Sequence, residues 1–472
     1  LNNHDPKEAD SMRSIVCRLV LIVVAVTALS VPAVAAASTP VELGVKYLEK
    51  VQKSESATGA PSFGGDWALT SLAAGGKAAA DVHRGSGTVF AREWYEGYIS
   101  PSTWPGAVEN PATEFEKAAL VSYAAGIDPA RVSVERNLLA NLISEYQTAS
   151  PGYYGLPGRL NGTIFAVLAF ADTKSTTGLV RIPTALLKQA VEVIEKNEHN
   201  DGGWNFNKVE GEAKGLESKS EPDTTGAAMA ALCASGVKNM AEEEAVAKGK
   251  AYLKTILEKS GAFKYTEGIN ADSNAWVVSG LNMCGIKASE FKKEEVGAES
   301  PIQFLESLQI KSGTNEGGFL YRPAGTVSNY SSQDAVRALA GAGFTFEPPT
   351  PTREGQVKWN FASKFSTTKS SPLALIVNNG TTIKVCSVPV KAGSEAEESS
   401  IGLLKVLEAA KAGTGVKPSG CVSEYEPKTG AGAITSINGT TGTWKVSLNG
   451  ETEKTAELGT KVELGAVIYL HT

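Results

Sequence analysis

Basic residues are in the minority in this 472-residue chain: 45 Lys and Arg stand against 51 Asp and Glu, a formal charge of −6. Nucleic acid as the main partner would need the opposite balance, so that class is set aside. Histidine is scarce, and beyond residue 37 only His83, His199 and His471 occur. Five cysteines are present, and no two have the short spacing of a zinc site. Apolar runs long enough for a confident membrane span are also missing. The nearest is Leu19–Leu29, behind Arg13 and Arg18 and ahead of the small residues Ala33-Val34-Ala35 and Ala35-Ala36-Ala37. That order reads as a secretory signal, with Met12 as the first methionine and Leu1–Ser11 as upstream residues without structural weight. The expectation is a signal-bearing segment over 1–37 and a secreted, extracellular protein of about 435 residues with no membrane span. Cys17 leaves with the signal. Cys233, Cys284, Cys386 and Cys421 remain, an even number that suggests disulfides with three pairings open.

What the chain has in abundance is small-residue helix. "DWALTSLAAGG", "EKAALVSYAAGI", "TIFAVLAFAD", "TTGAAMAALCASG", "SNAWVVSGLNMCGI" and "QDAVRALAGAGF" end at Gly75, Gly126, Asp172, Gly236, Gly285 and Gly343. Their mean spacing is about 54 residues, the signature of a repeat architecture. A glycine there suits the left-handed residue that closes a helix. Each is preceded by a more amphipathic segment, as in "ELGVKYLEKVQ", "SVERNLLANLISEY", "TALLKQAVEVIEK", "EEAVAKGKAYLKTIL" and "PIQFLESLQI". The weakest of these is "TVFAREWYEGYI". Between the two sits a Gly–aromatic loop: "SFGGDW", "STWPG", "GYYGLPG", "DGGWNF", "GAFKY" and "GGFLY". Six such units can curl into a closed ring, an all-α (α6/α6) toroid with amphipathic helices outside and small-residue helices inside. The loop aromatics, Trp204 and Phe206 among them, are then expected to plug gaps between units.

"EPPTPTREGQVKWN" reads as a Pro-containing linker over about 346–370. From Ser371 the texture changes. "LALIVNNGTTIKVCSV" predicts a hairpin with an Asn-Gly turn, followed by one helix over "SSIGLLKVLEAAKA". Short β-branched and aromatic strands follow. The chain is therefore expected to be multidomain: a toroid over 38–345, the linker, and a small α+β domain over 371–472.

"NDGGWNFN", "SEPDTTGAAMAAL", "NEGGFLYRPAG" and "SNYSSQDAVRAL" resemble the repeats of the terpenoid cyclase and prenyltransferase α/α-toroid superfamily, to which the vitamin B12 carriers also belong. "ITSINGTTGTWKVSLNGE" with "LGTKVELGAVIYL" resembles the transcobalamin-like C-terminal domain, which is β-grasp-like. The order of the two modules is that of the B12 carriers. The enzymes of the superfamily carry residues that this chain lacks: no Asp-x-Asp-Asp acid cluster, no Asp-x-Cys zinc motif and no Cys-Gly-Glu-Gln thioester. The inner helices also look poor in the aromatic faces that steady a carbocation.

By residue type, Asp223 and Asp272 are first of all carboxylate caps of inner helices. The resemblance adds a second role, in which Asp223, and Asp272 as its copy, would accept hydrogen bonds from the side-chain amides of a corrinoid. Asn161, Tyr330 and Gln333 stand at comparable points, and Asp66 and Trp67 open the first inner helix. From the second domain, Trp444 and the Ser436–Gly439 turn would face the ligand, unless Trp444 fills its own domain's core. Because Cys233 and Cys284 fall near the ends of neighbouring inner helices and the other two cysteines in the small domain, the pairs Cys233–Cys284 and Cys386–Cys421 are expected. The expected function is a non-catalytic small-molecule carrier, without metal, holding cobalamin or a related corrinoid between its domains. Two alternatives stand: a divergent terpenoid cyclase or prenyltransferase-like enzyme, and a cell-surface module that binds protein or glycan.

Overall fold

The computed structural model describes residues 38–62, 65–87, 89–172, 182–207, 219–265, 268–352, 365–393, 400–428 and 432–472. The expected secretory signal and much of the expected linker lie outside them. Residues Pro40–Thr472 form one compact unit.

Among the described residues six helix pairs are present, in line with the repeat. The outer members are α1 (Pro40–Ser54), α3 (Ala91–Ile99), α5 (Leu138–Ile143), α7 (Thr184–Lys196), α9 (Met240–Ile256) and α11 (Pro301–Ser307). The inner members are α2 (Ala68–Ala74), α4 (Pro111–Ala124), α6 (Asn161–Ala171), α8 (Pro222–Ser235), α10 (Ala271–Met283) and α12 (Asn329–Leu339). Each inner helix packs on the next, and α12 closes the ring against α2. Even the weakly patterned "TVFAREWYEGYI" forms α3, whose first turn is held by the Glu93 side chain accepting from the Phe90 amide at 3.1 Å.

The small side chains permit this closeness. A Cβ on Gly280 of α10 would fall 2.2 Å from the Gly226 carbonyl oxygen of α8, so the two backbones touch there. Ring closure is polar as well as apolar: the Ser71 hydroxyl donates to the Gln333 carbonyl at 2.6 Å, and Tyr47 donates to Asn329 at 2.8 Å. Gly126, Gly236 and Gly285 end their helices left-handed as expected, whereas in the first and last units Gly76 and Gly341 take that conformation in place of Gly75 and Gly343. Asp172 remains right-handed, with φ −68°.

Trp204 is fully buried, its indole N–H donating to the Ile194 carbonyl at 2.8 Å, so it plugs the seam as expected. Phe206 departs from that expectation. It is 39% exposed, with Arg159 stacked 4.8 Å from its ring centre, because its side chain turns from the seam toward the open end of the ring. Both expected disulfides are formed, Cys233–Cys284 joining the ends of α8 and α10, and Cys386–Cys421 lying within the small domain.

The C-terminal part contains β3 (Ser371–Asn378), β4 (Ile383–Val390), β5 (Ser400–Gly402), β6 (Tyr425–Pro427), β7 (Ile434–Ile437), β8 (Thr440–Thr441), β9 (Lys445–Leu448), β10 (Lys454–Thr455), β11 (Lys461–Glu463) and β12 (Val467–His471), of which five form one sheet of order β10-β9-β12-β3-β4. The short pair β1 (Phe319–Leu320) and β2 (Val327–Ser328) belongs to the last toroid unit. In the C-terminal sheet β12 runs parallel to β3, and the other pairs are antiparallel. One helix, α13 (Leu403–Ala412), covers this sheet through Leu403, Val406, Leu407 and Ala410. The sheet is buried on both faces. Leu373, Leu375 and Val377 point to α13, while the alternate residues Ala374 and Ile376, with Val385 and Val467, join the toroid's own core. The toroid element they meet is α5. Nearby, the Asn137 side chain donates to the Pro372 carbonyl at 3.2 Å. The α+β part is therefore joined to the outside of the ring through an apolar interface.

Candidate functional site

The N-terminal ends of the inner helices converge on one end of the ring, where two adjoining cavities open. The first, about 480 Å³, is lined by Phe165, Phe206, Tyr265, Trp276 and Tyr321 together with Glu221, Asp223 and Asp272. The second, about 350 Å³, is lined by Asp66, Trp67, Glu116, Lys117, Tyr330, Gln333 and Asp334 among others. They share Asn161, Phe165 and Trp276. Of the residues expected from sequence, Asp223, Asp272, Asn161, Tyr330, Gln333, Asp66 and Trp67 are thus brought together.

Trp444 is not among them. Its side chain is wholly buried in the small domain's core, with the indole N–H donating to the Thr440 carbonyl at 3.2 Å. The turn at Asn438-Gly439 that follows β7 (Ile434–Ile437) is likewise used internally, Asn438 accepting from the Ser423 amide at 2.7 Å. Among the described residues, none lining either cavity comes from the small domain. A ligand clamped between Asp223 and Trp444 is therefore excluded by placement, because the sheet docks on α5 and not over the mouth.

The capping role expected for Asp272 is corrected, whereas Asp223 does bind a first-turn amide of its helix. Asn270 caps α10, accepting from the Ser273 amide at 2.8 Å, and Asp272 lies two residues further in. Its carboxylate instead accepts from the Ser331 hydroxyl of α12 at 2.5 Å. Burial, followed by repulsion from Asp334, pushes its pKa up to about 6. Glu221 occupies the N-cap of α8, and Asp223 sits in the first turn, accepting from the Thr224 amide at 3.0 Å. Both carboxylates stand at the cavity wall.

The floor is aromatic. Phe165, Trp276 and Phe344 form a triangle with ring centres 5.4 to 5.7 Å apart and edge-to-face contacts. Asp334 pins two indoles, accepting from Trp67 at 3.2 Å and Trp276 at 3.1 Å. It also holds the buried Arg337 guanidinium at 2.7 Å. The expectation of aromatic-poor inner helices fails here. Phe165 stands four residues after Asn161, and Trp276 four after Asp272, so helical spacing alone places them on the same faces as those candidates. That signal was present in the sequence.

Three side chains of the wall have polar atoms without a hydrogen-bond partner inside the protein: Glu116 Oε1, Asn161 Oδ1, and both amide atoms of Gln333. Glu116 and Gln333 are each only 1% exposed. Burial, with a further contribution from Glu145, raises the Glu116 carboxyl well above the usual range. Sequence reading missed Glu116 because it lies mid-helix, away from any motif. Lys117 bridges Asp66 and Glu114, both at 3.1 Å.

No family model matches the sequence, and no curated protein matches it. Solved structures similar to 64% of the chain include the type II terpene cyclase MstE from Scytonema, at 13% identity over 96% of that chain with a TM-score of 0.43. An unsaturated glucuronyl hydrolase from Bacillus sp. GL1 is similar at 11% identity over 95% of its chain, TM-score 0.43. A polysaccharide lyase is similar at 12% identity over 96% of its chain, TM-score 0.42. These likenesses are loose in shape and assign no residue a role.

Proposed function

We propose that this is an exported, non-catalytic binding protein that holds a small organic molecule in the mouth of its toroid. The observation that carries the reading is the set of buried, unpartnered polar atoms on Glu116, Asn161 and Gln333 around one cavity floor. Leaving a buried polar group without a partner costs roughly 1–3 kcal/mol, and several gathered at one concave, half-aromatic site suit a ligand that supplies the missing bonds. Export fits the two disulfides and the absence, among the described residues, of any helix long and apolar enough to cross a membrane. A corrinoid would have to be held by the toroid alone, with its amides meeting the mouth carboxylates.

The test is native mass spectrometry of the protein from its own culture medium, with absorbance titrations of cobalamin and cobinamide alongside. A retained small molecule, lost in Asp223→Asn and Gln333→Leu, is the expected result. Gln333→Leu should also raise the melting temperature, since the orphaned amide goes with it. Retention unchanged in both variants would remove the mouth as the site.

A further inference from the structure

The smaller of the two mouth cavities, about 350 Å³, lies at the lower end of the range for small-molecule pockets, the size for one ring and not for a chain. Charged groups of its wall are engaged with one another or with a neighbour: Lys117 with Asp66 at 3.1 Å, and Asp334 with the buried Arg337 at 2.7 Å. What remains to be satisfied is a set of four buried atoms, Glu116 Oε1, Asn161 Oδ1, Gln333 Oε1 and Gln333 Nε2. The three oxygens can accept, and the amide nitrogen donates. That inventory discriminates among ligand chemistries. An ammonium group only donates and would leave the Gln333 nitrogen unmet. A carboxylate only accepts and would leave the oxygens unmet, beside Asp66 and Asp334. A hydroxyl does both, so a ring bearing several can turn one toward each atom.

We propose that this cavity seats a polyhydroxylated six-membered ring, a pyranose or a cyclitol, with its hydroxyls on Glu116, Asn161 and Gln333 and its C–H groups on the aromatic wall. Trp67, Phe165 and Trp276 line the same cavity and are each partly exposed. The two indole N–H groups are spent on Asp334, at 3.2 and 3.1 Å, so what these side chains offer a ligand is ring surface. A sugar ring has the matching division, a rim of hydroxyls around a face of C–H groups. Burying that face against the indoles removes apolar surface from water on both sides. Each hydroxyl that reaches one of the four atoms supplies a partner to a group that folding left without one.

This inference rests on the mouth being a ligand site, and its test separates the two. The whole protein is titrated calorimetrically with D-glucose, D-galactose, D-mannose and myo-inositol, with cyclohexanol and propionamide as single-hydroxyl and amide controls. Saturable binding of at least one of the four polyols is expected, roughly tenfold or more tighter than either control, with a shift in tryptophan fluorescence. Gln333→Leu and Glu116→Met, which put apolar ends of similar size in place of the polar ones, should each weaken it by roughly tenfold, with thermal melts showing that both variants fold. Glu116→Gln keeps a polar end to which a hydroxyl can turn, and should retain more of the binding than Glu116→Met. No saturation by any of the four polyols at tens of millimolar, or a control that binds as tightly as the best of them, overturns the polyol inference. If the molecule retained from culture carries no polyhydroxylated ring yet is lost in Gln333→Leu, the polyol falls while the mouth stands.

Discussion

At the residue scale, the acids of the mouth show how burial decides protonation. Asp272 is held near pKa 6 against an ordinary 3.8, so the folded state keeps a proton that the unfolded chain has released. The sign follows: its contribution favours folding below about 3.8 and is lost as pH rises through about 6. Asp272→Asn removes the titration. The variant's melting temperature should match the native protein below about pH 3.8, exceed it by a growing margin up to about pH 6 and by a steady one above; thermal melts across that range would show it, and an offset unchanged from about pH 3 to 7 would refute it. The same scale explains which site residues could be read from sequence. Asp223, Asp272 and Asn161 sit in the first turns of repeated helices and Gln333 just past the first turn of its own, so repetition pointed to them. For Trp444 two readings stayed open, because an aromatic near an Asn-Gly turn has the same local pattern whether it faces a ligand or its own core, and only the tertiary fold distinguishes them.

At the scale of elements, the helix pairs were legible because two periods agree: apolar spacing within each helix and a repeat of about 54 residues between them. The docking of the sheet was not read, although "LALIV" in β3 carried the signal. A strand with one wet face alternates, whereas this one is apolar at every position, the pattern of two-sided burial. Between inner helices the decisive feature is the contact of Gly280 with Gly226. A methyl at 280 would have to displace backbone, which cannot yield as a flexible side chain does. Gly280→Ala should therefore destabilise by roughly 1–3 kcal/mol despite the better helix propensity of alanine, read as a lower midpoint in urea. A gain in stability would mean that α8 and α10 stand farther apart.

For the whole molecule, the shared apolar surface at Ala374, Ile376, Val385 and Val467 makes the toroid and sheet depend on each other. Two modules so joined should melt together, giving a single calorimetric transition. Ile376 is wholly buried, and Ile376→Ala should cost roughly 2–5 kcal/mol and loosen that coupling, separating the transitions. Two transitions already resolved in the native protein would show that the interface contributes little to stability.

The ring closure described earlier has a kinetic consequence. The hydrogen bond from Tyr47 to Asn329 spans 282 positions of sequence, and Ser71 to Gln333 spans 262. Each repeat meets its neighbour over short stretches, so most of the chain can assemble from local contacts, one unit after another. The last seam, like the docking of the sheet on α5, has high contact order. It cannot form until α12 exists, and until then α1 and α2 present an apolar flank to water with no native partner. A chain emerging end first would carry that unfinished edge longest, and the annealing of first repeat to last is the step at which a helper protein, or a second unfinished ring, would have its opportunity.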